Sequence, residues 1–273
     1  MLGAMIGDMI GAPYEMPENN IKTKNFPLWQ IRSRVTDDSV LTCAVAAAFM
    51  EYLRHPRTVD PHRELVNQLK IFGNSHQFVP YGRRFRQWIE DYTDTKPYHS
   101  FSDGAPMRVS SVAWLWNDLK TVETMAKVSA EVTHDHPEAI RGAQAVAAAI
   151  FLARRGTTKA EIRKYIEAHY YSLDFTIDGI RAEYYGGLAC SETVPQAVVS
   201  FLEAESFEDA VRNAVSLGGD SDTLACMAGG LAEAFFGIPD EIVCEGEKRL
   251  PADLRQVLDD FRVYTAQSSA RRG

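Results

Sequence analysis

Apolar residues recur at three- and four-residue spacing along most of the chain, as Leu2, Met5, Ile6, Met9 and Ile10 do in its first run. This spacing is typical of helices that bury one face. It predicts helices over 2–11, 38–53, 61–72, 83–92, 107–115, 122–132, 138–155, 195–204, 207–217, 221–236, 239–249 and 251–264, and a further helix that begins after Thr158. Strand-like alternation is almost absent. We therefore predict an all-α protein of about a dozen helices.

The first helix also has a face of small residues, because Gly3, Gly7 and Gly11 repeat at helical spacing. Such a face lets another helix approach closely. Thr158 with Glu161, and more weakly Ser206 with Asp209, have the spacing of a capping box at a helix start. No linker-like stretch and no fixed-period repeat divides the sequence. We predict a single domain over residues 1–273.

Composition narrows the classes of partner. The net charge is -8 and the isoelectric point is near 5.4, so broad attraction to nucleic acid or to anionic lipid is not expected. A divalent cation suits this charge balance better. The four cysteines are widely spaced and indicate buried thiols in a reducing compartment. No apolar run reaches membrane-spanning length and Met1 leads directly into an amphipathic pattern, so we expect a cytoplasmic protein.

Two oxygen-rich clusters each precede an apolar helix: Thr36-Asp37-Asp38-Ser39, and Asp220-Ser221-Asp222-Thr223 after Gly218-Gly219. Either cluster alone is explained by helix capping, because Asp, Ser and Thr are preferred N-cap residues. One cap needs one oxygen, however, and the two clusters hold four aspartates. If they meet in the fold, four buried carboxylates need a compensating positive charge. Oxygen ligands favour magnesium, manganese or calcium, and two ions are reasonable.

Other candidate residues lie outside these clusters. Asp8 and Glu15 add two acids near the N-terminus, and Glu15 is a candidate for proton transfer. The small-residue loop 100–108 leads towards a helix and could bind phosphate oxygens through backbone N–H groups, although many such junctions look alike. His134 and His136 lack a third nitrogen or sulfur ligand, so a substrate contact or a helix cap is favoured over zinc.

Taken together, these motifs resemble the ADP-ribosylglycohydrolase family. The resemblance rests on the pattern GxxxGDxxGAxxE from Gly3 to Glu15, TDDS at 36–39, the loop ending in Met107-Arg108, the pair Thr133-His134, and GGDSDT at 218–223. It implies a compact orthogonal bundle of helices with two Mg²⁺ or Mn²⁺ ions at the base of an ADP-ribose cleft. It also implies that the metal ligands are Thr36, Asp37, Asp38, Asp220, Asp222 and Thr223.

By the same resemblance, the residues that contact ADP-ribose are Ser102, Asp103, Gly104, Met107, His134 and Gly219. The family loop commonly reads Gly-Asn-Gly before Met-Arg, whereas this chain has Ser102-Asp103-Gly104. An aspartate beside a diphosphate is repulsive unless it points away or pairs with a cation. Glu15 is the favoured proton carrier, and Asp37 or a metal-bound water is its rival.

The implied activity is metal-dependent hydrolysis of the glycosidic bond between ADP-ribose and an acceptor, either a protein side chain such as arginine or serine, or another ADP-ribose conjugate. Its substrate partner would be an ADP-ribosylated protein or a small ADP-ribose conjugate. The alternatives are a two-metal phosphohydrolase that acts on a nucleotide diphosphate, a non-catalytic ADP-ribose-binding protein, and a structural protein on the same scaffold.

Overall fold

The computed structural model describes residues 1–270, and their side chains to residue 267. This part of the chain is all-α, as the periodicity predicts, and contains no strand. Two short 3-10 helices, Ala12–Tyr14 and Pro17–Asn19, follow the first α-helix. The α-helices are α1 (Leu2–Gly11), α2 (Asp37–Arg54), α3 (Pro61–Ser75), α4 (Arg83–Glu90), α5 (Val112–Leu115), α6 (Leu119–Glu131), α7 (Pro137–Arg154), α8 (Lys159–His169), α9 (Ile177–Ile180), α10 (Cys190–Leu202), α11 (Phe207–Val215), α12 (Ser221–Phe236), α13 (Asp240–Arg249) and α14 (Ala252–Ala270).

The centre of the bundle is the pair α1 and α12, which approach closely through small residues. Every residue of α1 is buried. A methyl group on Gly7 would lie 1.9 Å from the Ala225 carbonyl oxygen, so the two backbones are almost in contact. The small-residue face predicted for α1 is confirmed. This contact brings the N-terminal end of α12 beside the C-terminal end of α1.

The remaining helices surround this pair. Helix α2 packs against α1 and α3, while α7, α10 and α11 pack against α12. The predicted capping box of α8 is present, with the Thr158 hydroxyl and the Glu161 carboxylate each bonded to the other's backbone N–H. Ser206 likewise accepts from the Asp209 backbone N–H at the start of α11. Local capping therefore determines where these two peripheral helices begin.

The structure corrects the predicted helix over 107–115, of which only Val112–Leu115 is helical. The preceding residues form turns, with hydrogen bonds from Val109 N to Pro106 O (3.4 Å) and from Val112 N to Val109 O (2.9 Å). The apolar residues in this stretch are buried by tight turns, which periodicity alone does not distinguish from a helix.

Two other helix ends differ from prediction by five residues or more. Helix α10 begins at Cys190, so Pro195 lies inside it and not at its first position. The missing proline hydrogen bond is tolerated because most of this helix, Pro195 included, is buried against its neighbours. Helix α14 continues to Ala270, beyond the predicted end at residue 264. No helix within residues 1–270 has both the length and the apolar character needed to cross a membrane. The single domain stays a prediction.

Candidate active site

The two oxygen-rich clusters meet at the N-terminal ends of α2 and α12. The Asp38 carboxylate accepts from the hydroxyls of Thr36 and Thr223, each at 3.3 Å. Thr223 thus joins two stretches of chain that are 185 positions apart. Asp38, Asp222 and Thr223 are all buried. The convergence that the metal hypothesis requires is present in the fold.

Helix capping does not explain these clusters. Thr36 and Asp220 are the N-cap residues of α2 and α12, but neither makes a side-chain capping hydrogen bond. The free N–H groups at the start of α2 are instead satisfied by Asp8 of α1, which accepts from Thr36 N at 3.0 Å and from Ser39 N at 3.1 Å. Asp37 and Asp38 are therefore not needed to cap α2, and Asp38 Oδ1 has no hydrogen-bond partner among the described residues.

Asp8 is the residue whose importance sequence reasoning missed. One carboxylate oxygen each from Asp8, Asp38 and Asp222 lie within 4.8 Å of one another, and all three residues are buried. Asp8 also accepts from the hydroxyls of Thr36 and Ser39. The sequence did contain a signal for Asp8, because it is the single carboxylate inside an otherwise apolar helix. A buried carboxylate is rare without a partner.

The acidic groups disfavour one another's ionisation. Burial raises the pKa of Asp8 to about 6 and, together with the neighbouring charge of Asp8, that of Asp37 to about 7. The pKa values of Asp38, Asp220 and Asp222 are raised well above the ordinary range, first by burial and then by their acidic neighbours. A cation bound among these carboxylates would offset both the cost of burying their charges and their mutual repulsion.

The donor set fits a hard divalent cation. The ligand atoms that Asp8, Thr36, Asp38, Asp222 and Thr223 offer are carboxylate and hydroxyl oxygens, which magnesium, manganese and calcium prefer. The Oδ1 atom of Asp38 is buried and has no hydrogen-bond partner among the described residues. A buried carboxylate oxygen without a partner is costly unless something else binds it.

A cleft of about 440 Å³ opens above the acidic cluster. It is lined by all the predicted site residues except Thr36 and Gly219: Glu15, Asp37, Asp38, Ser102, Asp103, Gly104, Met107, His134, Asp220, Asp222 and Thr223. Thr36 lies behind the cluster, bonded to Asp8. Gly219 donates its N–H to Asn20 Oδ1 at 2.7 Å, so this donor is already used within the protein.

One wall of the cleft is a hydrogen-bonded chain around His134. Its Nε2 lies 3.2 Å from Ser102 Oγ and its Nδ1 lies 2.7 Å from Thr133 Oγ1. Arg108, which is fully buried, donates to Thr133 Oγ1 at 2.6 Å. Burial and the Arg108 charge hold the pKa of His134 well below its ordinary value, so the ring is neutral. Arg108 is a second residue that sequence reasoning did not single out for the site.

A side-chain bridge holds the segment before Asp220. Gly218 and Gly219 adopt left-handed φ values of 68° and 66°, which disfavour any residue with a side chain. Asn20 accepts from Gly219 N through Oδ1, and its Nδ2 donates to Tyr14 O at 2.5 Å. Asn20 therefore connects the stretch that carries Glu15 with the stretch that carries Asp220. Nothing local in the sequence signals this bridge.

The family model described as ADP-ribosylglycohydrolase matches residues 1–271. The chain belongs to the ADP-ribosylglycohydrolase family. This confirms the family resemblance that the sequence motifs carried. The match includes the acidic clusters, the loop above them and His134.

Individual relatives of this chain are distant. The chain is 26% identical over 185 residues to ADP-ribosylhydrolase ARH3 of Homo sapiens, an alignment that covers 51% of each protein. It thus spans about half the length of the ARH3 proteins of Homo sapiens, Bos taurus, Gallus gallus and Mus musculus. A protein of Archaeoglobus fulgidus, described only as uncharacterized, is 31% identical over 88% of both chains.

A solved structure named "ADP-ribosylglycohydrolase-related protein complex" has the same fold. Its TM-score is 0.70, and the match covers 97% of this chain and 96% of the other at 21% identity. At that identity the likeness concerns the fold alone. It confirms the predicted all-α, ADP-ribosylglycohydrolase-like architecture.

Proposed function

We propose that this ADP-ribosylglycohydrolase hydrolyses the glycosidic bond between ADP-ribose and an acceptor, and that it does so with divalent cations. The observation that carries the proposal is the group of converging carboxylates at the base of the cleft, where Asp38 Oδ1 has no hydrogen-bond partner within the described part of the chain. The supporting finding is membership of the family over residues 1–271. The substrate is an ADP-ribosylated protein or a small ADP-ribose conjugate.

The residues proposed to hold two Mg²⁺ or Mn²⁺ ions are Thr36, Asp37, Asp38, Asp220, Asp222 and Thr223, and the position of Asp8 adds it to this set. When bound, the ions supply positive charge that fixes the ribose hydroxyls and offsets charge on the reacting groups. The protein's own contribution is to hold the carboxylates together, because the close contact of α1 with α12 prevents them from moving apart.

Glu15 is the proposed proton carrier. It lines the cleft and is half-buried, and burial raises its pKa while the Arg34 charge opposes that shift. A raised pKa brings a carboxyl group closer to the pH at which it can both release and accept a proton. Asp37, whose pKa is raised to about 7, is the rival for this role. Glu15→Gln should retain cation binding and lose turnover by about 100-fold or more. Full turnover in Glu15→Gln would mean that another group transfers the proton.

The proposed binding wall comprises Ser102, Asp103, Gly104, Met107 and His134. A neutral His134 can hydrogen-bond a ligand without repelling a cation nearby. Gly104 is suited to this wall because a methyl group there would lie 2.8 Å from His134 Nε2. A side chain at position 104 would therefore displace the imidazole from Ser102.

The proposal is tested with arginine-linked, serine-linked and nucleobase-linked ADP-ribose conjugates, incubated with Mg²⁺ and analysed by mass spectrometry. We expect intact ADP-ribose from at least one conjugate and none with a chelator. Release of AMP would indicate a two-metal phosphohydrolase, because the broken bond is then between phosphorus and oxygen. Binding without any product would indicate an ADP-ribose-binding protein. Undiminished release in chelator would exclude the metal-dependent mechanism.

A further inference from the structure

The loop above the acidic cluster carries a carboxyl group of its own, that of Asp103. Its side chain points into the interior, since only 4% of the residue is exposed. The backbone holds it there: Asp103 N donates to Leu188 O at 2.9 Å, and Asp103 O accepts from Met107 N at 3.0 Å. Hydrogen bonds of its own backbone N–H and carbonyl therefore fix the position of Asp103.

The Asp103 carboxyl group faces acids. Its acidic neighbours are Asp37 and Asp220; Asp103 raises the pKa of Asp220 and shares a side-chain hydrogen bond with it. The Thr193 hydroxyl also hydrogen-bonds to Asp103. The Oδ2 atom of Asp103 is buried and lacks a hydrogen-bond partner among residues 1–270. A buried, acid-facing carboxylate oxygen without a donor is the arrangement that a bound cation resolves.

We propose that Asp103 is a further cation ligand, which adds a carboxylate on the Asp220 side of the cluster. The inference rests on the proposed function, because it concerns the same divalent cations. Asp38 and Asp222 have Asp8 beside them, whereas Asp220 is hydrogen-bonded to Asp222 and faces Asp103. Asp103 therefore gives the Asp220 side a buried carboxylate besides that of Asp222. An amide at this position would offer an oxygen but no charge, so the negative charge is the feature to test.

The matched substitution is Asp103→Asn, which keeps the size and removes the charge. The probe is Mn²⁺, titrated calorimetrically into metal-free protein. We expect affinity for at least one ion to fall about tenfold or more, as it does when a residue supporting a metal ligand is changed. The Mn²⁺-induced rise in Tm should shrink in the same variant. Glu192→Gln, an exposed acid at the start of nearby α10, is the control and should bind Mn²⁺ as the wild type does.

The outcomes separate this inference from the proposed function. Wild-type protein that binds no Mn²⁺ would remove the metal centre itself, and the inference with it. If wild-type protein and Asp103→Asn bind Mn²⁺ with the same affinity, the inference is overturned but the metal centre is not. Equal losses in Asp103→Asn and Glu192→Gln would also overturn it, because a general change in net charge would then explain both.

A direct measurement on the unaltered protein covers the case in which Asp103→Asn does not fold. Crystals of the wild-type protein grown with Mn²⁺ are used to locate the ions by anomalous scattering. An ion at ligand distance from an Asp103 oxygen, about 2.2 Å, supports the inference. Ions that lie only among the other carboxylates, with Asp103 more than about 4 Å away, overturn it.

Discussion

The two halves of the acidic cluster are held in different ways. The half at α2, which carries Asp37 and Asp38, is held by Asp8, whose carboxylate accepts two backbone N–H groups and two hydroxyls from that helix start. The half at α12, which carries Asp220 and Asp222, follows two glycines in left-handed conformation and is bridged by Asn20.

This difference concerns stability as well as geometry. Asp8 belongs to a completely buried helix, so the α2 half moves only if α1 moves. The α12 half depends on one polar side chain from a loop and on the close backbone contact with Gly11. We therefore expect single substitutions to loosen the α12 half more readily, whereas the α2 half responds mainly to the charge that it holds.

The largest effect should come from removing a proposed ligand of the α12 half. Asp222→Ala takes one carboxylate from the group that it forms with Asp8 and Asp38. Affinity for at least one Mn²⁺ should fall by more than about 100-fold. Calorimetric stoichiometry checks this, and circular dichroism should report unchanged helix content. Asp240→Ala, an exposed acid in the first turn of α13, is the control. Unchanged stoichiometry in Asp222→Ala would mean that the residue is not a ligand.

The next largest effect tests the backbone contact between α1 and α12. A methyl group on Gly11 would lie 2.5 Å from both Asp222 Cα and Ser221 O, and backbone atoms cannot yield as a flexible side chain does. Gly11→Ala should lower the free energy of unfolding by about 2 kcal/mol and weaken Mn²⁺ binding. Urea denaturation measures the first effect.

The control for that experiment is Gly230→Ala in α12, the partner helix of α1. There the closest atom, Ile150 Cδ1, is 3.3 Å from the added methyl and belongs to a side chain that can adjust. We expect a change below about 1 kcal/mol. Equal losses at positions 11 and 230 would contradict the special role given to the Gly11 contact.

A smaller effect is expected in the pH dependence of Tm, which tests the charge of the α2 half. The folded-state pKa values of Asp8, about 6, and Asp37, about 7, lie above the ordinary value, so these groups stabilise the fold most while protonated. Without divalent ions, Tm should therefore fall by about 5 °C as pH rises from about 5 to about 7.5. Saturating Mg²⁺ should reduce this fall. Asp37→Asn should reduce it as well. A metal-free Tm that rises over this interval would contradict the assignment.

The smallest effect concerns the Asn20 bridge. Asn20→Ala removes the acceptor for Gly219 N and the donor to Tyr14 O. We expect a loss of about 1 kcal/mol in unfolding free energy. Asn20→Asp keeps an acceptor for Gly219 N but turns a carboxylate oxygen towards the carbonyl oxygens that Nδ2 contacts, so it should lose at least as much. Asn67→Ala is the control, because Asn67 is exposed and its side chain hydrogen-bonds to Glu64, at 3.5 Å. Equal stability of Asn20→Ala and the wild type would show that the turn at Gly218 and Gly219 keeps its conformation without Asn20.

Much of this protein follows from its sequence alone. Apolar spacing predicted nearly all the long helices, because helix periodicity is a local property of the chain. The small-residue face of α1 predicted a close helix contact, and the excess of aspartates at 36–38 and 220–222 predicted a shared acidic site. Local spacing was ambiguous at 107–115, where buried turns carry the same apolar residues that a helix would.

Only the tertiary structure decided which groups meet. Thr36 and Asp8 are 28 positions apart, and Gly219 and Asn20 are 199 apart, so no local pattern predicts those hydrogen bonds. Helix packing made Asp8 the cap of α2 and thereby freed the oxygens of Asp37 and Asp38. It also directed Asp103 towards Asp220 and used the Gly219 N–H within the protein. The sequence determined the inventory of oxygens, and the close contact of α1 with α12 determined which of them face one another.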